Sequence, residues 1–459
     1  MGVGLWVLIS SLLEAYRIVK RVILLLTAFI HVPGFGQTED SQICAAATAA
    51  QFHHCVQAAS AADSRYSQIQ VTAPITCDDS ANLCQFTLAN VYRHFRITGI
   101  GEGAGFHRSG EHGGYQHNTL TITGSTGPIV LQDLVFDEGK NLPLPYDYVA
   151  AHDPAVSVWT NQISTACQAK PAPPGKSYLN PCAGNSLRIT SSSNITVENV
   201  QFLEAKNFGI QIDTSSANIN ITRSTFIDAW FNAIWSQNNG SIRGLHIVNN
   251  TFKDNRSNAL EISAVAPQAP DTAQFNTVVG NVFENNHNTG LFFLPGCHGI
   301  GNVCGGGQLL ILSKSSDFQI EGNEIRDGGG PDTFISKQHN DVRGVEIDNT
   351  GISNITITKN TIHHNSGPAI DIAYNTKISP LAYNIRVYGN RLTDNDAMNF
   401  GSPFNNEWFL NSQQNMSNNG VVPKNGCAYV PSPLNAKGAC AVLPKVKPYD
   451  WDNGTPQRR

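Results

Sequence analysis

Leu245-His-Ile-Val248, Asn250-Thr-Phe252 and Leu260-Glu-Ile-Ser263 are the runs that decide the fold. Apolar and polar residues alternate within them over a few positions, which is the period of a short, half-buried strand, and polar turns divide one run from the next. The cadence returns along the chain. Ile210-Gln-Ile-Asp213, Ile234-Trp-Ser-Gln237, Leu291-Phe-Phe-Leu294, Val345-Glu-Ile-Asp348 and Ile370-Asp-Ile-Ala373 open further units. Second runs such as Ile219-Asn-Ile-Thr222, Phe318-Gln-Ile-Glu321, Ile355-Thr-Ile-Thr358 and Ile385-Arg-Val-Tyr388 follow them and lead into Asn281-Val-Phe, Asn323-Glu-Ile, Asn360-Thr-Ile and Asn390-Arg-Leu. The first strands begin 24, 26 and 31 residues apart, starting from Ile210. No unit of that size buries its own apolar face, so the units must stack.

The recurring asparagine fits such a stack. Asn250, Asn281, Asn323, Asn360 and Asn390 hold one place before an inward apolar residue, where an amide can bond backbone groups of neighbouring turns and satisfy a buried bend. Helical solenoids need long 3.6-residue periodicity, which these segments lack. On these repeats the chain resembles the pectate-lyase-like superfamily of secreted right-handed parallel β-helix proteins, over roughly Phe95 to Phe400. The resemblance implies an all-β, right-handed parallel β-helix, a single-stranded solenoid. Lyases, hydrolases, epimerases and adhesins share that scaffold, so the fold alone does not choose a chemistry.

Export is legible at the N-terminus. Lys20-Arg21 precedes the apolar run Val22 to Ile30, and Gly34-Phe-Gly36 supplies small residues, so residues 1–36 read as a signal peptide and the protein as secreted or periplasmic. A retained anchor is the alternative there; no later segment reads as a membrane span, so no stable membrane insertion is expected after cleavage. The ten cysteines fall into close pairs: Cys44 with Cys55, Cys77 with Cys84, Cys167 with Cys182, Cys297 with Cys304, and Cys427 with Cys440. That spacing suits neighbour-to-neighbour disulfides in an oxidising compartment and lacks zinc-site clustering. The formal net charge of -5 gives no reason to expect a nucleic-acid partner. Gly99 to Phe106 is glycine-rich but lacks the Lys-Ser/Thr of a nucleotide loop, and reads as a close-packed turn.

Residues 37–66 are expected to form an N-terminal cap, with an alanine-rich helix over Ile43 to Ser60 held by Cys44 and Cys55. Residues 67–404 form the β-helix with an insertion at 139–185, and 405–459 a wrapping tail fastened by Cys427 and Cys440. The insertion, with Ala264 to Phe275 and Gly328 to Asp341, is expected to border a single flank.

Strand parity then nominates a site. With positions one and three of each opening strand inward, Gln211, Trp235, Glu261, Phe292, Glu346 and Asp371 form an outward column, with Asp213 and Asp348 beside it. Aromatic rings among carboxylates suit a polysaccharide partner, so Trp235, Glu261, Phe292 and Gln211 are the candidate substrate-binding residues. Glu346 and Asp371 fall on successive strands, close enough for the paired carboxylates of a glycosidase. Asp371 is assigned as general acid and Glu346 or Asp348 as base or nucleophile. No cofactor is required; calcium is the ion such a cluster would take. A second chemistry comes from Ser313-Lys314-Ser315, which resembles a local sequence of β-helix alginate and chondroitin lyases. There the resemblance implies Lys314 as base of a uronate elimination beside an arginine that handles the carboxylate; Asp348 stands where the family arginine is expected, with Arg343 or Arg326 as the substitute. The Gly-His-Gly and Arg-Ile-Lys of the pectin hydrolases of this fold are absent. A non-catalytic glycan-binding or adhesin role is the third reading.

Overall fold

The computed structural model describes residues 42–77, 84–108, 118–139, 185–205, 207–213, 215–229, 232–236, 241–255, 257–266, 276–286, 306–312, 314–328, 342–347, 351–365, 369–372, 383–388, 390–393 and 395, and the short strands Phe409–Leu410, Cys427–Val430, Tyr449–Asp450 and Thr455–Pro456. Among the described residues Tyr449–Asp450 pairs antiparallel with Thr455–Pro456, and three large sheets have ten, twelve and ten strands. Each coil visits them in one order. Ile210–Ile212 lies in what we call sheet I, Ala217–Thr222 in sheet II and Thr225–Ile227 in sheet III; the next coil repeats this with Ile234–Ser236, Arg243–Val248 and Thr251–Lys253. Coil-to-coil pairing is parallel, except where Cys427–Val430 closes antiparallel on Tyr383–Tyr388. The fold is an all-β parallel β-helix.

The interior follows from strand parity. Phe106, Phe136, Phe202, Phe226, Phe252 and Phe283 occupy one inward position of sheet III, with successive ring centroids 5.1, 5.1, 4.7, 4.9 and 4.9 Å apart. Ile325, Ile362 and Leu392 continue the column in register. Such aromatic stacks add about 0.5–1.5 kcal/mol per pair beyond the area they bury.

The asparagine ladder forms as expected. Each Nδ2 donates to the Oδ1 of the next coil, from Asn250 to Asn281 (3.0 Å), Asn323 (3.0 Å), Asn360 (2.8 Å) and Asn390 (2.9 Å). The same Oδ1 atoms accept the backbone N–H of the preceding rung. A second ladder runs five residues farther on, at the corner from sheet III to sheet I: Asn255, Asn286, Gln308, Asn365 and Asn395. Gln308 is the exception, because its coil has Gly328 where an asparagine would stand. A Cβ at Gly328 would lie 2.7 Å from Gln308 Nε2, so the longer side chain, reaching in from the sheet I strand Gly306–Ile311, occupies the vacated place.

The N-terminal segment differs in part from expectation. Gln42–Ala46 is a strand of sheet II, its Cys44 and Ala46 turned inward, and the helix α1 begins only at Ala49 and ends at Ser60. Thr48 caps it by accepting from the Gln51 N–H, the arrangement that fixes a helix start. Phe52 packs edge-on against Phe86 and Phe106.

Two of the five expected disulfides, Cys44–Cys55 and Cys77–Cys84, are formed. The other three fall on residues that the structure does not describe as pairs. Cys167 and Cys182 both lie outside the described residues, as do Cys297 and Cys304. Cys427 opens the strand Cys427–Val430, whereas Cys440 is outside the described residues. Residues 1–36, the expected signal peptide, are outside them too.

The excursions divide between two corners. Residues 109–117, 140–184, 287–305 and 329–341 depart after a sheet III strand and return to sheet I, whereas 267–275 departs after the sheet I strand Leu260–Ile262 on the way to sheet II. Each of these connections has a sheet I strand at one end, and together they join it at both of its edges. A buried network joins the stems of the first two. Arg108 Nε lies 2.9 Å from Glu138 Oε2, with the side chains 3% and 2% exposed. Arg108 Nη2 donates to Thr119 Oγ1 (2.7 Å), and the Thr119 and Ser186 hydroxyls both donate to Glu138 Oε1 (3.0 Å each). Arg108 and Thr119 flank residues 109–117, while Glu138 and Ser186 flank the longer insertion.

Candidate functional site on sheet I

Register across sheet I turns strand parity into a column. Thr121, Arg188, Gln211, Trp235, Glu261, Leu310, Glu346 and Asp371 are partners rung by rung. Rungs are about 4.8 Å apart, so Arg188 and Glu346 stand about 24 Å apart along the axis. One expected rung is wrong. Leu291-Phe-Phe-Leu294 is an apolar run expected to form a sheet I strand, but the rung between Glu261 and Glu346 belongs to Leu310 of Gly306–Ile311. Phe292, like Asp348, lies outside the described residues.

A companion row stands two residues before the first inward residue of each strand: Asn118, Asn185, Phe208, Asn232, Asn258 and Arg343. Its members hold the column. Asn185 Nδ2 donates to Gln211 Oε1 in a short hydrogen bond and also to Asn118 Oδ1 (2.9 Å), and Asn207 Nδ2 donates to Asn185 Oδ1 (3.0 Å). Gln211 Nε2 in turn donates to Asp213 Oδ1 (2.7 Å). Arg188 Nε donates to the other oxygen of Asp213 at 2.6 Å, its own side chain remaining 41% exposed.

Trp235 stacks on Phe208, ring centroids 5.1 Å apart and planes within 9°. One indole face is therefore already covered by Phe208. The indole N–H donates to Glu261 Oε1 (3.3 Å), while Asn232 and Asn258 donate to Oε2 at 2.8 and 3.2 Å. Glu261 is enclosed on most sides yet keeps some accessible surface. Burial pushes its carboxyl pKa up, and the three neutral donors oppose that only in part. Among the described residues no cation is a hydrogen-bond partner of this carboxyl.

Glu346 differs. Arg343 Nη1 lies 3.5 Å from its Oε2, with the two side chains 13% and 17% exposed. The strand Val342–Ile347 breaks alternation between Arg343 and Val345, which brings the guanidinium beside the carboxylate. Asp371 is the register partner of Glu346 on Ile370–Ile372. Lys314 stands off the column, on the exposed corner between the strands Gly306–Ile311 and Ser316–Glu321, with φ of 63°. Among the described residues no group of three or more His, Cys, Asp or Glu is placed to hold a metal ion, and no helix is long and apolar enough to cross a membrane.

Sequence reasoning passed over Arg188 and the companion row. Both had a signal: Leu187-Arg-Ile is a period-two run in step with Ile210-Gln-Ile, and Asn-x-Leu or Asn-x-Ile recurs at Asn118, Asn185, Asn232 and Asn258.

Residues 176–301 match the family described as right handed beta helix region. No curated protein matches the chain. Among solved structures the chain is similar to a double mutant of the periplasmic alginate epimerase AlgG, at 10% identity and TM-score 0.38, covering 75% of this chain and 72% of that one. It is similar to PfbA, a surface adhesin of Streptococcus pneumoniae, at 13% identity and TM-score 0.39, covering 72% and 69%. A pectate lyase (pelN) from Paenibacillus sp. 0602 aligns at 9% identity and TM-score 0.39, covering 79% and 80%. With three sheets visited once per coil the chain is a parallel β-helix protein, and residues 176–301 match the model of right-handed β-helix regions.

Proposed function

We propose that the protein is an exported enzyme that binds a polysaccharide along sheet I and hydrolyses its glycosidic bonds with Glu346 and Asp371. The observation that carries this reading is the register of those two residues on adjacent rungs, with Arg343 beside Glu346. A spacing of about 4.8 Å between rungs suits the carboxyl separation of about 5–5.5 Å used by retaining glycosidases. Arg343 supplies positive charge to Glu346, which supports Glu346 as nucleophile or base and leaves Asp371 as general acid. Gln211, Trp235 and Glu261 lie on the same face and would hold the polymer. Export is supported by the two disulfides at the N-terminal end.

Uronate elimination through Lys314 is the competing chemistry, and the placement of Lys314 on a corner off the column favours it less. One assay separates the readings: incubation with neutral and uronate-containing polymers, reading reducing ends together with the ultraviolet absorbance of an unsaturated uronate. Reducing ends without absorbance, lost on Glu346→Gln and on Asp371→Asn, are the expected result. Loss on Lys314→Met alone would refute the assignment, and saturable binding without chain shortening would reduce the protein to a glycan-binding one.

A further inference from the structure

The charges on sheet I choose between polymer classes. Among the described residues the column and its companion row carry two arginines, and each already lies against a carboxylate: Arg188 against Asp213, Arg343 against Glu346. Glu261 is held by two amides and an indole instead of a cation. Asp371 brings a further acidic residue into register. Two arginines thus stand among four acidic residues along about 29 Å of sheet, six rung spacings from Arg188 to Asp371.

A polyuronate brings one negative charge per sugar, and a site that reads it needs cations whose charge is not already spent. This face presents paired charge and uncharged amides instead. Of the amides along it, Asn118, Asn207 and Gln211 are partly exposed and carry the donors and acceptors that match sugar hydroxyls, whereas Asn185, Asn232 and Asn258 are buried and brace the column. Arg188, with Nε fixed by Asp213, still presents its outer N–H groups as oriented donors.

We propose, on the footing of the polysaccharide reading above, that the polymer bound along sheet I is a neutral glycan, without carboxylate or sulfate substituents. The test compares affinities of the wild-type protein, by affinity electrophoresis, for neutral polymers (glucan, xylan, mannan, galactan) and for polyuronates, each polyuronate also being run after carboxyl reduction. The expected result is at least tenfold tighter retention by one neutral polymer than by any polyuronate, little changed between low and high salt, with carboxyl reduction improving retention. Asp213→Asn releases the charge of Arg188 and is expected to raise polyuronate retention at least threefold, in a salt-sensitive way. A wild-type protein that prefers a polyuronate and loses it in salt overturns the proposal while leaving the polysaccharide reading intact. Retention by neither class overturns both. Asp213 is buried, so if its variant fails to fold the wild-type comparison decides alone.

Discussion

Glu138→Ala is the sharpest structural test. The carboxylate is 2% exposed and faces Arg108, itself 3% exposed, at 2.9 Å. Removing one member of such a pair strands the other charge, at a cost of about 3–5 kcal/mol. Two buried hydroxyls, on Thr119 and Ser186, lose an acceptor as well, though both can turn to other groups at about 1 kcal/mol or less each. The expected loss is therefore about 4 kcal/mol. Arg108→Met combined with Glu138→Leu removes both charges together and is expected to cost only about 1–2 kcal/mol, since replacing a buried pair by apolar groups is close to neutral. The coupling in the cycle made of Arg108→Met, Glu138→Leu and their combination should then be several kcal/mol. Urea unfolding followed by far-ultraviolet circular dichroism gives the global loss. Hydrogen exchange at the Thr119 and Leu120 amides, which donate to Asn185 and Ser186 carbonyls, gives the local one. A loss below about 1 kcal/mol for Glu138→Ala, or a double variant as unstable as the sum of the singles, would refute the claim that this network clamps the two stems.

Asn323→Ala strands the Asn281 N–H and withdraws a donor from the Val278 carbonyl, for an expected loss of about 2–5 kcal/mol in thermal or urea unfolding. Glu261 has a raised folded-state pKa, so the stability it contributes is full below its unfolded value and is lost as pH rises through the folded one. Glu261→Gln should therefore match the wild type in acid and become the more stable protein as pH climbs above the ordinary carboxylate range, helped by a new amide N–H near Asn232 Oδ1, which is buried without a partner among the described residues; parallel melting curves across pH would contradict this. Glu346→Gln should lower kcat by about 10²–10⁴ while leaving glycan retention and melting temperature close to those of the wild type.

Most of the fold could be read from period-two alternation, because a stacked coil forces the same parity on every strand. The first asparagine ladder was legible for the same reason. The second was equally present, since Asn250 and Asn255, Asn281 and Asn286, and Asn360 and Asn365 are spaced alike, but its break at Gly328 and repair by Gln308 have no local sequence mark. Phe292 shows where a short apolar run misleads. Leu291-Phe-Phe-Leu294 is locally a good strand, yet no second run follows it closely, whereas Ile311 leads at once into Ser316–Glu321 and Asn323. The position of a rung is set by its connection to the next sheet, which a four-residue window does not contain. Glu346 and Asp371 were placed correctly in register because parity carried across their short connection, while the guanidinium of Arg343 reaches Glu346 only through a break in alternation that parity does not foresee.

The repair at Gln308 says something about how such a scaffold changes over time. A coil that loses its corner asparagine, or gains a long excursion beside it, keeps its hydrogen bonds if one neighbouring strand supplies a side chain long enough to reach. Damage is thereby absorbed by a single substitution in the adjoining rung instead of propagating along the stack. Coils can then be edited one at a time, so the loops bordering sheet I are free to diverge, and with them the ligand, at little risk to the column that presents it.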